Sequence, residues 1–222
     1  MDRIVRGDLS STHGRALAWV DSLFVDHALI RLAWSNFAPV VPGRLYRSNH
    51  PTPGRLAAVA RRYGIHTLVN LRGRTANGSD ALSREMAGRL GVDFVDAPLK
   101  SSAAPPRERV LHLLDVFARM REPALVHCKS GADRAGLASA IFLLANGASV
   151  AEARLQLTLR FGHIAGAEAG VLGAFLGAYA REGEGRVAFR DWAANEYDPT
   201  ALGVPRSNNV ARFINTRLLR RE

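Results

Sequence analysis

The sequence predicts an α/β fold, with a mostly parallel central sheet flanked by helices, a helical stretch before it and an extension after it. Three observations predict it. Short apolar or β-branched runs alternate with longer runs at helical spacing from about residue 42 to residue 182. Glycine and proline punctuate that alternation: Pro53 opens one helical run, and Gly64 and Gly91 close two of them. A chain of 222 residues with 47% hydrophobic content is also long enough to bury a sizeable core. Strands alternating with helices imply parallel pairing through right-handed crossovers, and in such sheets ligands sit at the carboxyl ends of the strands.

Taken in order, residues 1–10 are polar. Residues 11–36 have helical spacing, but Asp21, Asp26, His27 and Arg31 interrupt the apolar run, which is too charged to span a membrane. It also lacks the basic start and small-residue cleavage site of a secretory signal. An amphipathic helix lying on the core is expected there, with peripheral membrane contact as the alternative role. A proline-containing connector over 40–47 holds a first short strand through Leu45 and Tyr46. A helix follows over 51–63, a strand over 66–71, and a polar loop from Arg72 to Ser79. Ser79 or Asp80 is expected to cap a helix over 81–90. Then come a strand over 92–95, a loop over 96–106, a helix over 107–121 and a buried strand, Ala124-Leu125-Val126. Residues 137–145 have the composition of a buried helix, and two more helices are expected over 149–160 and 166–181. This divides the chain into an N-terminal helical extension (1–41), a catalytic domain (42–182) and a C-terminal extension (183–222) to which no chemistry is assigned.

A single cysteine excludes an internal disulfide, no His/Cys cluster has metal-ligand spacing, and a reducing, cytoplasmic location with no cofactor and no metal is expected. The formal charge of +10 comes almost wholly from scattered arginines and matches no nucleic-acid-binding motif, so nucleic acid is not an expected partner. A basic surface would instead steer an acidic substrate. The two lysines, Lys100 and Lys129, both fall in segments assigned to the active site.

The chemistry is concentrated in His127-Cys128-Lys129-Ser130-Gly131-Ala132-Asp133-Arg134, between the strand and the helix. A loop entering a helix points backbone N–H groups into a concavity, and the helix dipole adds partial positive charge there. Gly131 permits the turn, and the amides of Ser130, Gly131 and Ala132 are candidates to bind an anion. A thiolate, the reactive form of cysteine, is stabilised by such a field, and Arg134 can hold two phosphoryl oxygens at once. A lone cysteine is often no more than a small buried hydrophobe. That reading leaves the adjacent His, the Gly and the Arg at matching offsets unexplained.

The segment resembles the signature loop of the cysteine-dependent protein tyrosine and dual-specificity phosphatases: His-Cys, five residues, Arg. A rhodanese-type sulfurtransferase also sets a cysteine before a helix, but with a loop of different length and no His-Cys start. The resemblance implies hydrolysis of phosphate monoesters through a phosphocysteine, with Cys128 as nucleophile, Arg134 as phosphate clamp and His127 orienting the loop. The family usually has Ser or Thr after the arginine, where this chain has Ala135. The departure leaves Ser130 as the nearest replacement hydroxyl and makes a phosphate-binding pseudophosphatase the alternative.

The departing oxygen must be protonated, and a carboxylate that does so can later activate water. In dual-specificity phosphatases the acid is an Asp about thirty residues before the cysteine, and Asp96 stands 32 residues before Cys128. Asp133 competes, because some bacterial and phosphoinositide-active relatives carry a proposed acid at that loop position. Arg72, Asp96 and Cys128 each follow a strand and so share one rim. Lys129 resembles the tensin-homologue phosphatases, which carry Lys after the Cys and act on phosphoinositides. The implied partners are phosphorylated proteins, inositol phosphates or phosphoinositides, with Arg72, Lys100 and Lys129 as further cations for substrate.

Overall fold

The structure, a computed structural model, describes residues 9–25, 34–164 and 170–202. The chain divides into two compact units. The first takes the chain up to Asp96 together with Arg121–Ser130, and the second takes Ala97–Met120 and the chain from Gly131 onward.

The first unit is built on a five-stranded sheet: β1 (Ala38–Val41), β2 (Leu45–Ser48), β3 (Thr67–Asn70), β4 (Asp93–Asp96) and β5 (Ala124–His127), in the order β1-β2-β5-β3-β4. β1 and β2 form an antiparallel hairpin, and the other neighbouring pairs are parallel. β2, β3 and β5 are buried along their whole length, as expected of strands covered on both faces. The register aligns Ser48 with His127, His127 with Asn70, and Asn70 with Asp96. Four polar residues thus end four strands in one row, and Asp96 is the last residue of its strand rather than the first of the loop.

α2 (Pro53–Tyr63) begins with the Thr52 hydroxyl accepting from the Arg55 N–H and ends at Gly64, whose φ of 64° is a left-handed cap. Leu56 and Ala60 pack with Tyr46, Ile65, Leu68, Ala87, Val92 and Leu125 in the core of this unit. α3 (Gly78–Leu90) starts three residues before the expected position, capped by Asn77 rather than Ser79 or Asp80. Asn77 accepts from the Asp80 N–H at 2.9 Å, which leaves the Asp80 carboxylate for Thr75, Asn70 and Arg84.

α1 (Thr12–Val20) continues as a π-helical turn, Asp21–Val25, and docks on α3. A Cβ at Gly78 would lie 2.1 Å from the carbonyl oxygen of Ala18, so only glycine fits at this approach. Asp21 then accepts from the Gly78 N–H at 2.6 Å, and Arg15 forks onto Glu85. The helix expected over 11–36 does not reach its far end, since residues 34–37 are non-helical. Its stretch through Ala28, Leu29 and Ile30 lies outside the described residues. No described helix is long and apolar enough to cross a membrane.

The second unit is helical: α4 (Arg107–Arg119), α5 (Asp133–Ala145), α6 (Val150–Arg154), α7 (Gly170–Glu182) and α8 (Phe189–Asn195). α5 is buried nearly all round, with α4, α6 and α8 packed against it. The helix expected over 149–160 stops at Arg154. Thr158 is extended, Leu159–Phe161 forms a 3-10 turn, and Gly162 at φ 72° reverses the chain. Past residue 182, Trp192 is fully buried, with the rings of Phe175, Tyr179, Phe189 and Tyr197 all within 5.9 Å. Tyr197 donates to the Pro105 carbonyl, and burial pushes its phenol well above the usual range. The stretch 183–202 therefore contributes Phe189, Trp192 and Tyr197 to the aromatic core of this unit, which Phe175 and Tyr179 of α7 complete.

Trp192→Ala should cost about 3–5 kcal/mol, the range for deleting a fully buried aromatic. Urea denaturation measures it, and a loss within about 0.5 kcal/mol would show that the tail is only appended.

Candidate active site

The first unit holds the start of the motif. β5 carries His127 to the sheet end and places Cys128 immediately after it, only 1% exposed. Lys129 and Ser130 are half-buried. Two groups outside the motif hold its carbonyls: the His50 N–H bonds the Lys129 oxygen at 3.3 Å, and the Asn36 amide bonds the Ser130 oxygen at 3.1 Å.

His50 is buried beneath this loop, its ring 4.6 Å from that of His127. Arg72 Nη1 lies 3.1 Å from His50 Nδ1, and Ser83 Oγ lies 2.9 Å from Nε2. A guanidinium can only donate, so Nδ1 accepts and the ring proton sits on Nε2, pointing to Ser83. Arg72 is thereby steered from the loop after β3 towards the loop that follows β5.

Asn70, beside His127 in register, organises the β3–α3 loop. Its amide donates to the Gly73 carbonyl, Asp80 and Asp96, and its oxygen accepts from the Arg72 N–H. Arg84 spans from α3 to the end of β4, with Nε on Asp80 and Nη2 at 2.8 Å from both oxygens of Asp96. Burial would lower its basicity, but the two carboxylates outweigh that and hold the guanidinium more firmly protonated than usual. Arg84 also lies over the Phe94 ring at 4.2 Å. Asp96 thus has both oxygens engaged by Arg84, one of them also by Asn70.

In the second unit the motif continues through Gly131, at φ 77°, and the buried Ala132. The positive φ is the reason for glycine at this position. Asp133 and Arg134 form the first turn of α5. Arg134 is half-buried, and Asp133 is 4% exposed with its Oδ1 2.8 Å from His163 Nδ1. Ala135 is fully buried. Lys100 is exposed in an irregular stretch of the same unit, just before a bend at residues 101–103.

Of the expected residues, the first unit brings Cys128, His127, Lys129, Ser130, Arg72 and Asp96 to the strand ends, and the second holds Gly131, Ala132, Asp133 and Arg134 together. His50, Asn70, Arg84 and His163 were not expected. The run of polar residues Ser48-Asn49-His50 between a strand and a helix was the available signal for His50. His163 had none, because its partner lies thirty residues away. Among the described residues no three His, Cys, Asp or Glu side chains are placed to share a metal ion.

The family model of the Swiss Army Knife protein DSP-PTPase phosphatase domain matches residues 34–164, more than half of the chain. Among solved structures, a cysteine-to-serine variant of TpbA of P. aeruginosa in complex with pTyr is similar over 72% of this chain and 91% of its own, with 24% identity and a TM-score of 0.55. Tk-PTP in its active form is similar over 67% and 99%, with 23% identity and a TM-score of 0.52. A comparison with curated protein sequences finds no match.

Asn70→Ala should lower stability by roughly 1–3 kcal/mol, the cost of leaving buried polar partners unsatisfied. The exposed Lys100→Ala should change it by less than about 0.5 kcal/mol. Equal effects of the two in urea denaturation would contradict the role given to Asn70.

Proposed function

The chain belongs to the Swiss Army Knife family of DSP-PTPase phosphatase domains and is a cysteine-dependent phosphatase, and on that premise we propose that it hydrolyses phosphate monoesters in two steps through a phosphocysteine. The observation that carries this reading is the His-Cys-x5-Arg segment running from the end of a buried parallel strand into a helix N-terminus. Cys128 attacks phosphorus while the loop amides of Lys129, Ser130, Gly131 and Ala132 and the Arg134 guanidinium hold the phosphoryl oxygens. His127 orients the loop.

Asp133 is the proton donor in this reading, adjoining Arg134 in the chain and held at one oxygen by His163. Position in the chain favours Asp96, but both of its oxygens already accept from Arg84. Its role here is to anchor the loop that carries Arg72. Lys129, Arg72 and Lys100 are the cations offered to a substrate with more than one anionic group. The substrate class is phosphorylated protein or inositol phosphate and phosphoinositide. The pTyr bound in the TpbA complex supports including phosphotyrosine. A free catalytic thiol works in a reducing compartment, which supports a cytoplasmic location.

Ala135 favours a second reading, a pseudophosphatase that binds phosphate without turnover, since the hydroxyl that eases thiolate departure is missing from its usual position. Turnover of 4-nitrophenyl phosphate separates the two. The wild type should turn over repeatedly in the presence of chelator. Cys128→Ser should lose roughly 10³-fold or more in kcat with its fold intact. Activity in Cys128→Ser near that of wild type would overturn the mechanism, and a wild type that binds phosphate without turnover would establish the pseudophosphatase. A panel of phosphopeptides, inositol phosphates and phosphoinositides then assigns the substrate.

Arg134→Lys should lower kcat/KM by about 10²–10³-fold, because an ammonium cannot reproduce the planar two-oxygen contact. Steady-state kinetics of that variant tests the clamp, and near-normal values would remove it.

A further inference from the structure

His163 lies in the second unit, on the turn after Leu159–Phe161. Gly162, in the left-handed region, reverses the chain there, and the His163 N–H bonds back to the Thr158 carbonyl at 3.1 Å. The imidazole is thereby brought inward, 5% exposed, with Nδ1 2.8 Å from Asp133 Oδ1. Stability gives little reason for such a pair. Burying an imidazole and a carboxyl together costs desolvation that a hydrogen bond only offsets, and apolar residues of similar size serve a core as well or better.

Asp133 is the residue whose orientation matters for the reaction. Transfer of its proton requires one carboxyl oxygen to be directed at the leaving group. A carboxyl free to rotate about χ2 would spend much of its time in other orientations. We propose that His163 is the positioning residue for the general acid. Its Nδ1–H donates to Asp133 Oδ1, fixes the plane of the carboxyl and assigns the transferred proton to Oδ2. This rests on the reading of Asp133 as the acid made above.

The steps balance on that assignment. In the first, the Cys128 Sγ–P bond forms as the bond from phosphorus to the leaving oxygen breaks. The proton on Asp133 Oδ2 passes to that oxygen, leaving a carboxylate. The same Nδ1–H now donates to an anion and so binds more strongly than it did to the neutral acid. The interaction therefore gains strength along the proton transfer, which is the condition for lowering the barrier rather than only binding substrate. In the second step water oxygen bonds to phosphorus, its proton returns to Asp133, and the P–S electron pair returns to sulfur.

The test compares two aryl phosphates, phenyl phosphate, whose leaving group needs a proton, and 4-nitrophenyl phosphate, whose leaving group hardly does. His163→Leu should lower kcat/KM, which reports the step in which the leaving group departs, by about 10²-fold on phenyl phosphate and only a few-fold on 4-nitrophenyl phosphate. His163→Asn, whose side-chain amide can donate from near the Nδ1 position, should recover most of the loss. On an Asp133→Asn background, His163→Leu should add no further leaving-group dependence. Thermal melting identifies a His163→Leu variant that fails to fold, and the Asn variant then carries the comparison. Equal losses on both substrates, or His163→Asn no better than His163→Leu, would overturn the proposal while leaving the phosphatase reading intact. An Asp133→Asn variant without leaving-group dependence would instead remove Asp133 as the acid, and His163 with it. A wild type inactive on both substrates would remove the phosphatase reading itself.

Discussion

The constraint on which the first unit depends is the register of its parallel strands. A one-residue slip of β3 against β5 would turn every side chain of one strand to the opposite face. Here the register is held so that Ser48, His127, Asn70 and Asp96 stand abreast. With strands about 4.8 Å apart, Asp96 lies roughly 10 Å from His127 across the sheet. Asn70 bridges the interval by donating to Asp96 and stands beside His127. The apolar content of β3 and β5 fixes the register, and the polar ends inherit their positions from it.

Those polar ends carry a cost that the network around them offsets. Asn70 and Asp80 are buried groups whose isolation would each cost on the order of 1–3 kcal/mol, and the half-buried Asp96 shares their network. Arg84 joins the two carboxylates, and Asn70 joins both to the backbone of the β3–α3 loop. The result is a loop braced by its own side chains, with Arg72 Nη1 in contact with His50 Nδ1. A comparable arrangement holds in the second unit, where Asp133 and His163 satisfy one another beside the guanidinium-bearing turn of α5.

Much of this was legible in the sequence, for reasons tied to range. The alternation of elements, the caps at Gly64 and Gly91 and the strand–loop–helix around Cys128 are set by neighbours a few residues apart, and there the reading matches the structure. It missed where distant groups compete. Asp80 is a good cap by type, but Asn70 and Arg84 claim its carboxylate and Asn77 caps instead. Residues 155–160 have helical spacing, yet extended Thr158 and left-handed Gly162 break the run. Trp192 carries no local sign that it completes an aromatic core with Phe175 and Tyr197. The Asp133–His163 pair was out of reach for the same reason: nothing near His163 in sequence indicates a carboxylate.

The edge of the sheet bears on how the molecule behaves at high concentration. β4 is an end strand, only four residues long, and a charge stands at each of its ends: Asp93 tied to Arg121 and Asp96 tied to Arg84. An exposed sheet edge offers unpaired backbone groups to any other extended chain, and proteins commonly blunt such edges with short strands and charge. A second chain adding itself alongside β4 would gain only a few backbone hydrogen bonds, and would do so next to charged side chains that it would crowd or partly desolvate. The Asp96–Arg84 pair that braces the loop therefore also helps guard this edge against strand addition, and with it against the first step towards a fibril.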